Sequence, residues 1–386
     1  MSPNISILLR VLGKWGDDAA LAALRPLSDS EWIDLVRESK RLLVAPLLYQ
    51  RLKSLEGVCQ PPLLVMNQLR GSYLKNSARG VWFINELSKI VKVLHQEHIP
   101  VILYKGACLA GELYHDMGLR PMVDADILVH EVDYLKTQRC IDEMQESQIE
   151  PYPHIDVKQH PAGIATLHRV DVDGIWARAR IVNISGMEVL ALAPEDMFLT
   201  LIMHHYFQHA GQLSIGIRIF CDLSAVLDQY ANTMDWELVT HRADEWGVSN
   251  CVSLALRLTR ELLNISVPSQ LAEFILKHDP GEALQAFAAE YFSVKQSETL
   301  TLSPYLLQLL GRGSLRSKLS FALRVAIPRA EVMANKKQTT KYSARFFIGY
   351  VLNAARLVWL GLKMLITVFT PNIRKRKLMK LIRWMS

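Results

Sequence analysis

The chain has 386 residues, half of them apolar and 21% charged, a balance that supports one or two packed cores and excludes a disordered or low-complexity polymer. The net charge of +6 is unevenly placed: from Lys336 onward there are twelve Lys or Arg and no Asp or Glu, so the basic character belongs to the tail. Five scattered cysteines without a C-x-x-C pair argue against a disulfide framework or zinc knuckle and fit a reducing cytoplasm. The short apolar run Ile5 to Leu12, ended by Gly13 and Lys14, lacks a secretory pattern, and the expectation is a cytoplasmic protein.

Residues 1–95 read as an N-terminal helical region. Ser28 or Ser30 caps a helix with acids in its first turn, running through Leu35, Leu42 and Leu48 to Leu52 with a kink at Pro46. Pro61-Pro62 restarts the chain, and Leu64, Leu69, Leu74, Trp82, Leu87, Ile90 and Leu94 keep helical spacing. These helices are expected to pack beside a sheet.

Residues 96–192 mix strands and helices. After the turn at His98-Ile-Pro100, Val101 to Tyr104 reads as a buried strand that breaks at Lys105-Gly106, where a glycine lets a ligand approach backbone closely. A helix follows from Ala107 to about His115. Beyond Gly118, Arg120 and Pro121 comes a second strand, Asp124 to Val129, on which Asp124 and Asp126 share a face. Two like charges side by side gain nothing for an ordinary sheet. A divalent cation removes the penalty, and magnesium (or manganese) suits hard oxygen ligands shared with substrate phosphates. The bland alternative is a solvated strand end with two surface aspartates.

The order strand, Lys105-Gly106 turn, helix, Arg120, Asp124-x-Asp126, apolar strand resembles the nucleotidyltransferase superfamily that includes DNA polymerase beta, and more closely a broad bacterial group of uncharacterised nucleotidyltransferases. The resemblance runs in outline from about residue 25 to 350; its specific part is residues 102–129. It implies a magnesium-dependent transfer of a nucleoside monophosphate from an NTP to a hydroxyl acceptor. Asp124 and Asp126 would hold metal, and Lys105, Gly106 and Arg120 would contact phosphates, the cations by charge-assisted hydrogen bonds. The structural alternative pairs Lys105 with an aspartate and uses Arg120 as a helix cap. The resemblance also implies a third carboxylate followed by a spacer and a His on a later strand. Asp171 is the first choice, with Asp173 in the place of the His; a second register takes His168 as that His and leaves Thr166 where a carboxylate belongs.

The rest of the core reads as a helix over Glu131 to Glu146, strands at Tyr152 to His160 and Ile164 to Val172 joined as a hairpin, and a second hairpin over Ile181 to Leu192 broken at Ser185-Gly186. Ala193-Pro-Glu-Asp196 opens a helical domain, 193–335. Its His204, His205 and His209 are weighed as a zinc site against packing or a cleft-facing role for His204, and Asp222, on an apolar face, needs a partner such as Arg218. The tail, 336–386, holds an apolar stretch (346–370) interrupted by Asn353, Arg356 and Lys363 and followed by Arg374-Lys-Arg-Lys377, Lys380 and Arg383. This pattern fits an amphipathic helix lying on an anionic membrane face, or one docked on the protein itself. The fold class expected is α+β: a small nucleotidyltransferase-type mixed sheet between helical regions. A non-catalytic scaffold at the membrane, within polysaccharide assembly, is the competing reading. Nucleic acid is not favoured as partner, because stacking aromatics are not interleaved with the basic residues.

Overall fold

A computed structural model describes residues 2–122, 124–146, 153–161, 170–208, 216–293, 316, 347–353, 355 and 373–385. Five helices come first: α1 (Pro3–Leu12), α2 (Asp17–Leu24), α3 (Asp29–Arg41), α4 (Ala45–Ser54) and the long α5 (Leu63–Gln96). Ser28 caps α3 through a reciprocal capping box with Glu31, which satisfies two orphan N–H groups at once. The single kinked helix expected across Pro46 is instead two, α3 and α4: Leu43 takes a positive φ of 62° between them, and Pro46 falls in the first turn of α4, where its missing N–H costs nothing.

The described strands form one five-stranded mixed sheet in the order β3-β2-β1-β5-β4, built from β1 (Ile102–Tyr104), β2 (Asp124–Leu128), β3 (His154–Lys158), β4 (Arg180–Ile184) and β5 (Met187–Ala191). Helix α6 (Gly106–Glu112) bridges β1 and β2, and α7 (Tyr134–Glu146) bridges β2 and β3. β1 pairs antiparallel with β2 and parallel with β5, while β3 lies parallel to β2. The hairpin expected at Ser185-Gly186 is there, both residues taking positive φ between β4 and β5. The other expected hairpin is corrected where it is described: Asp171 caps a short helix, α8 (Val172–Arg178), and no strand reaches Val172. Residues 162–169, with Thr166 and His168, lie outside the described residues.

Alternation of side chains across the pleat divides the sheet into two faces. Leu103, Ala125, Ile127, Ile155, Val182 and Val189 pack on one side with Phe83, Ile84, Leu87, Ile90 and Leu94 from the second half of α5. Ile102 and Leu128 face the other way, into a larger core. That core joins α1 to α4 with α9 (Pro194–Met203), α10 (Arg218–Tyr230), α11 (Trp236–Trp246), α12 (Ser249–Leu263), α13 (Ala272–Lys277) and α14 (Glu282–Ser293). At 1.5 Å per residue α5 is about 51 Å long, enough to carry Val65 and Leu69 in the helical core and Leu94 behind the sheet. Thus the helices before and after the sheet share one interior.

The final helix, α15 (Ile373–Met385), buries Leu378, Leu381, Ile382 and Met385 in that core. Asn250 donates to the carbonyl of Trp384 at 2.6 Å. No described helix is long and apolar enough to cross a membrane.

Candidate active site

The two ends of the D-x-D motif meet at the C-terminal end of β1. Register places Tyr104 opposite Asp126, so the residue that leaves β1, Lys105, turns back over the start of β2. Lys105 does so with φ 56° and ψ −128°, a conformation expensive for any residue with a Cβ, by about 1–3 kcal/mol. The positive φ at this turn belongs to the lysine and not to the glycine. What the strain fixes is direction. The Lys105 Nζ donates to Asp126 Oδ1 at 3.0 Å, with the two side chains only 5% and 10% exposed, and lies 4.7 Å from the centre of the Tyr104 ring.

Gly106 starts α6. A methyl group built on it would meet Arg120 Nη1 at 3.4 Å and the Asp124 carbonyl at 3.6 Å, ordinary contact distances, so packing alone does not demand a glycine here. Gly118, by contrast, is held by close approach: a Cβ would sit 2.6 Å from the Tyr73 ring. The same stretch is pinned to α5 by Tyr73, which donates to Asp116, and by Asn76, which donates to the carbonyls of Met117 and Gly118. Helix α5 thereby sets the path of the chain into β2.

Asp126 has a further carboxylate beside it. The parallel pairing of β2 and β3 puts Asp156 level with Asp126 and His154 level with Asp124. Neighbouring strands lie about 4.8 Å apart, so Asp156 shares the face of the D-x-D pair. Asp156 accepts an ion pair from Lys158 at 2.6 Å. Burial raises the proton affinity of Asp126; Lys105 opposes that rise, and the charges of Asp124 and Asp156 add to it. Burial likewise lowers the Lys105 ammonium below its usual range, against the pull of Asp126. Tyr104 is pushed well above the usual phenol value by burial and then by Asp126 and Asp156, and its hydroxyl, buried, has no hydrogen-bond partner among the described residues.

Arg120, expected to contact phosphate, is hydrogen-bonded within the protein. Its guanidinium forks onto Asp222 of α10, Nε to Oδ1 at 2.8 Å and Nη2 to Oδ2 at 2.9 Å, and Nη1 donates to the Gly106 carbonyl at 3.2 Å. Tyr114 also donates to Asp222. The pair is fully buried, so the fork clamps the Lys105-Gly106 turn to the helical core. Arg218, the partner expected for Asp222, donates to the Pro121 carbonyl instead.

Asp171 is corrected as well. It is exposed, accepts the Gly174 N–H at the start of α8, and pairs at 3.5 Å with Arg178, which itself reaches the buried Asp196. Asp173 is exposed in the first turn of the same helix. The strand beside the D-x-D pair is β3, and the carboxylate that it sets level with Asp126 is Asp156, a residue outside the sequence-based selection. Its signal was present in His154-Ile-Asp-Val-Lys158, a polar–apolar alternation ahead of the segment chosen.

The histidine cluster is described only in part. His204 and His205 lie in a π-helical turn after α9, with rings 5.1 Å apart and edge to face, and His209 is outside the described residues. Among the described residues no three His, Cys, Asp or Glu side chains converge as a ready metal cage, Asp126 and Asp156 each being turned onto a lysine. The donor set nevertheless suits a hard divalent ion: carboxylates on adjoining strands, whose charges add to the burial that raises the proton affinity of Asp126, with lysine ammonium groups on two of them. Such crowding is what a cation relieves.

A family model described as uncharacterised nucleotidyltransferase matches residues 28–264, from the cap of α3 to the end of α12, and so contains every side chain of this site. No curated protein and no solved structure matches the chain. With well over half its length under that model, and the Lys-Gly turn set against D-x-D as the resemblance implied, the chain belongs to the uncharacterised nucleotidyltransferase family.

Proposed function

We propose that the protein transfers a nucleoside monophosphate from an NTP to a hydroxyl acceptor, using Mg2+ or Mn2+ held by Asp124, Asp126 and Asp156. The observation that carries this reading is the register of β2 and β3, which sets Asp156 level with Asp126 beside the Lys105-Gly106 turn. A divalent ion bound there would supply charge stabilisation for the oxygens of the transferring phosphate.

The protein's own residues do the rest. Asp126, whose raised proton affinity favours the neutral acid, must ionise to serve as a ligand, so the site loads better as pH rises. Lys105 is then freed from Asp126, and its ammonium, held close by the strained turn, donates to the phosphates. The N–H of Gly106, with no side chain in the way, offers a further donor. Asp156 would accept the proton of the acceptor hydroxyl, whose oxygen bonds to the α-phosphorus as the bond to the leaving pyrophosphate breaks. The acceptor would lie between the sheet and the helices from α9 onward, since ligands favour such clefts. Asp156 beside the D-x-D pair favours this reading over a non-catalytic scaffold.

Titration of Mn2+ with ATP, GTP, CTP or UTP, followed by calorimetry and by the Mn2+ resonance, tests the metal site. Wild-type protein and Asp171→Asn should bind the metal–nucleotide; Asp124→Asn, Asp126→Asn and Asp156→Asn should not. Undiminished binding by the last three removes the proposal.

A further inference from the structure

We propose that the C-terminal region docks peripherally on an anionic lipid bilayer, through the outward face of α15 and, as a separate element, the exposed apolar side chains of the helix 347–353. This inference is independent of the D-x-D site.

Helix α15 is strongly two-sided. Its apolar residues Leu378, Leu381, Ile382 and Met385 are spent on the protein's own core, against α12 and α14, and the carbonyls of Trp384 and Met385 accept from Asn250 and Cys251. The helix is therefore anchored to the protein. Arg376, Lys377, Lys380 and Arg383 are left exposed, at spacings of one, four and seven residues that keep them on one side. Among the described residues no carboxylate forms an ion pair with any of the four, and the sequence from Lys336 onward contains no acid to do so. A fixed, exposed cationic face is complementary to an anionic surface, and each such residue strengthens binding to one roughly fivefold.

A second feature selects lipid over other polyanions. Ile348, Val351 and Leu352 are 55%, 68% and 54% exposed and recur three and four residues apart, an apolar stripe on one helix face. Phosphodiester chains offer such a stripe nothing, whereas the headgroup boundary of a bilayer accepts shallow apolar insertion beside bound basic residues. Because the apolar side of α15 is already occupied, α15 itself does not insert. Its contribution is electrostatic and screened by salt, and the stripe supplies the part that salt does not weaken.

Full-length protein is mixed with vesicles of phosphatidylcholine alone or of phosphatidylcholine rich in phosphatidylglycerol, at low and high salt, and bound protein is separated by flotation. The account expects binding to the anionic vesicles only, weakened by salt. It expects a loss on the order of a hundredfold or more in a variant carrying Arg376→Gln, Lys377→Gln, Lys380→Gln and Arg383→Gln, and a smaller, salt-independent loss in Val351→Asp with Leu352→Asp. All these positions are exposed, so melting temperatures should match wild type, and Asp126→Asn should bind vesicles normally. Failure to float with anionic vesicles, equal binding to neutral ones, or an unaffected quadruple variant would each overturn the proposal. So would tight binding of single-stranded RNA through the same four residues in protein that ignores vesicles.

Discussion

Lys105→Met is the most informative single perturbation of the site. It keeps the length and apolar stem of the side chain, and the backbone strain, while removing the ammonium that lies 3.0 Å from Asp126 Oδ1. Both partners are almost wholly buried, so the change strands a buried carboxylate, at a cost of about 3–5 kcal/mol. Part of that cost is avoidable, because Asp126 can take up a proton. The sign follows from its direction of shift. With a folded-state pKa raised above the unfolded value, the contribution of Asp126 to stability is full below the ordinary carboxylate range and is lost as pH rises through the raised value. Without Lys105 the folded value climbs further and the lossy window widens upward. Urea denaturation followed by circular dichroism should therefore find Lys105→Met more destabilised at pH 8 than at pH 5, and Asp126→Asn in the same chain should restore most of the loss. Lys105→Gly should be milder than Lys105→Met by about 1–2 kcal/mol, since glycine relieves the positive φ. A loss below about 1 kcal/mol, or one that is pH-independent and indifferent to Asp126→Asn, refutes the buried pair as described.

Other consequences follow from the same geometry. Gly106→Ala should fold with stability unchanged or raised by up to about 1 kcal/mol, as alanine is the better helix former and contacts at 3.4 and 3.6 Å are tolerable, yet lose nucleotide affinity in a calorimetric titration; retained affinity would show that no ligand approaches that backbone. Arg120→Ala should cost about 3–5 kcal/mol by leaving the buried Asp222 carboxylate unpaired, and Arg120→Lys should recover only part of it because the two-pronged contact needs the planar guanidinium; equal stability of the lysine variant in thermal melts would deny the fork. Tyr104→Phe removes a buried hydroxyl without a partner and should stabilise the metal-free protein by about 1 kcal/mol, whereas a loss of that size in the same melts would mean that the hydroxyl is bonded.

The D-x-D strand, the Lys-Gly break and the Ser185-Gly186 hairpin were legible because each is a local signal: alternation over five residues, a chain reversal, a turn that needs positive φ. Less legible were the residues whose partners come from distant parts of the chain. Arg120 looks like a phosphate ligand from its place before Asp124, but Asp222, 102 residues later, claims it. Asp171 rests on the resemblance, which implies an acidic residue, a spacer and a His on a later strand, and nothing local announces that it caps α8. Asp156 was missed because parallel pairing of β2 with β3 comes through a helical crossover, and register across a crossover is written in no short window of sequence. The tail divides the same way. The amphipathic stretch expected over 346–370 lies mostly outside the described residues, and that the apolar side of α15 would be consumed by α12 and α14 depends on helices far earlier in the chain.

The account stands most directly on transfer chemistry. Wild-type protein incubated with each α-labelled NTP, Mg2+ or Mn2+ and a cell extract as acceptor source should move label into product with release of pyrophosphate. Asp124→Asn, Asp126→Asn and Asp156→Asn should each abolish that transfer while Asp171→Asn preserves it. Label that still moves in the Asp126→Asn or Asp156→Asn protein, or that stops in Asp171→Asn alone, would contradict the assignment of these strands as the seat of the reaction.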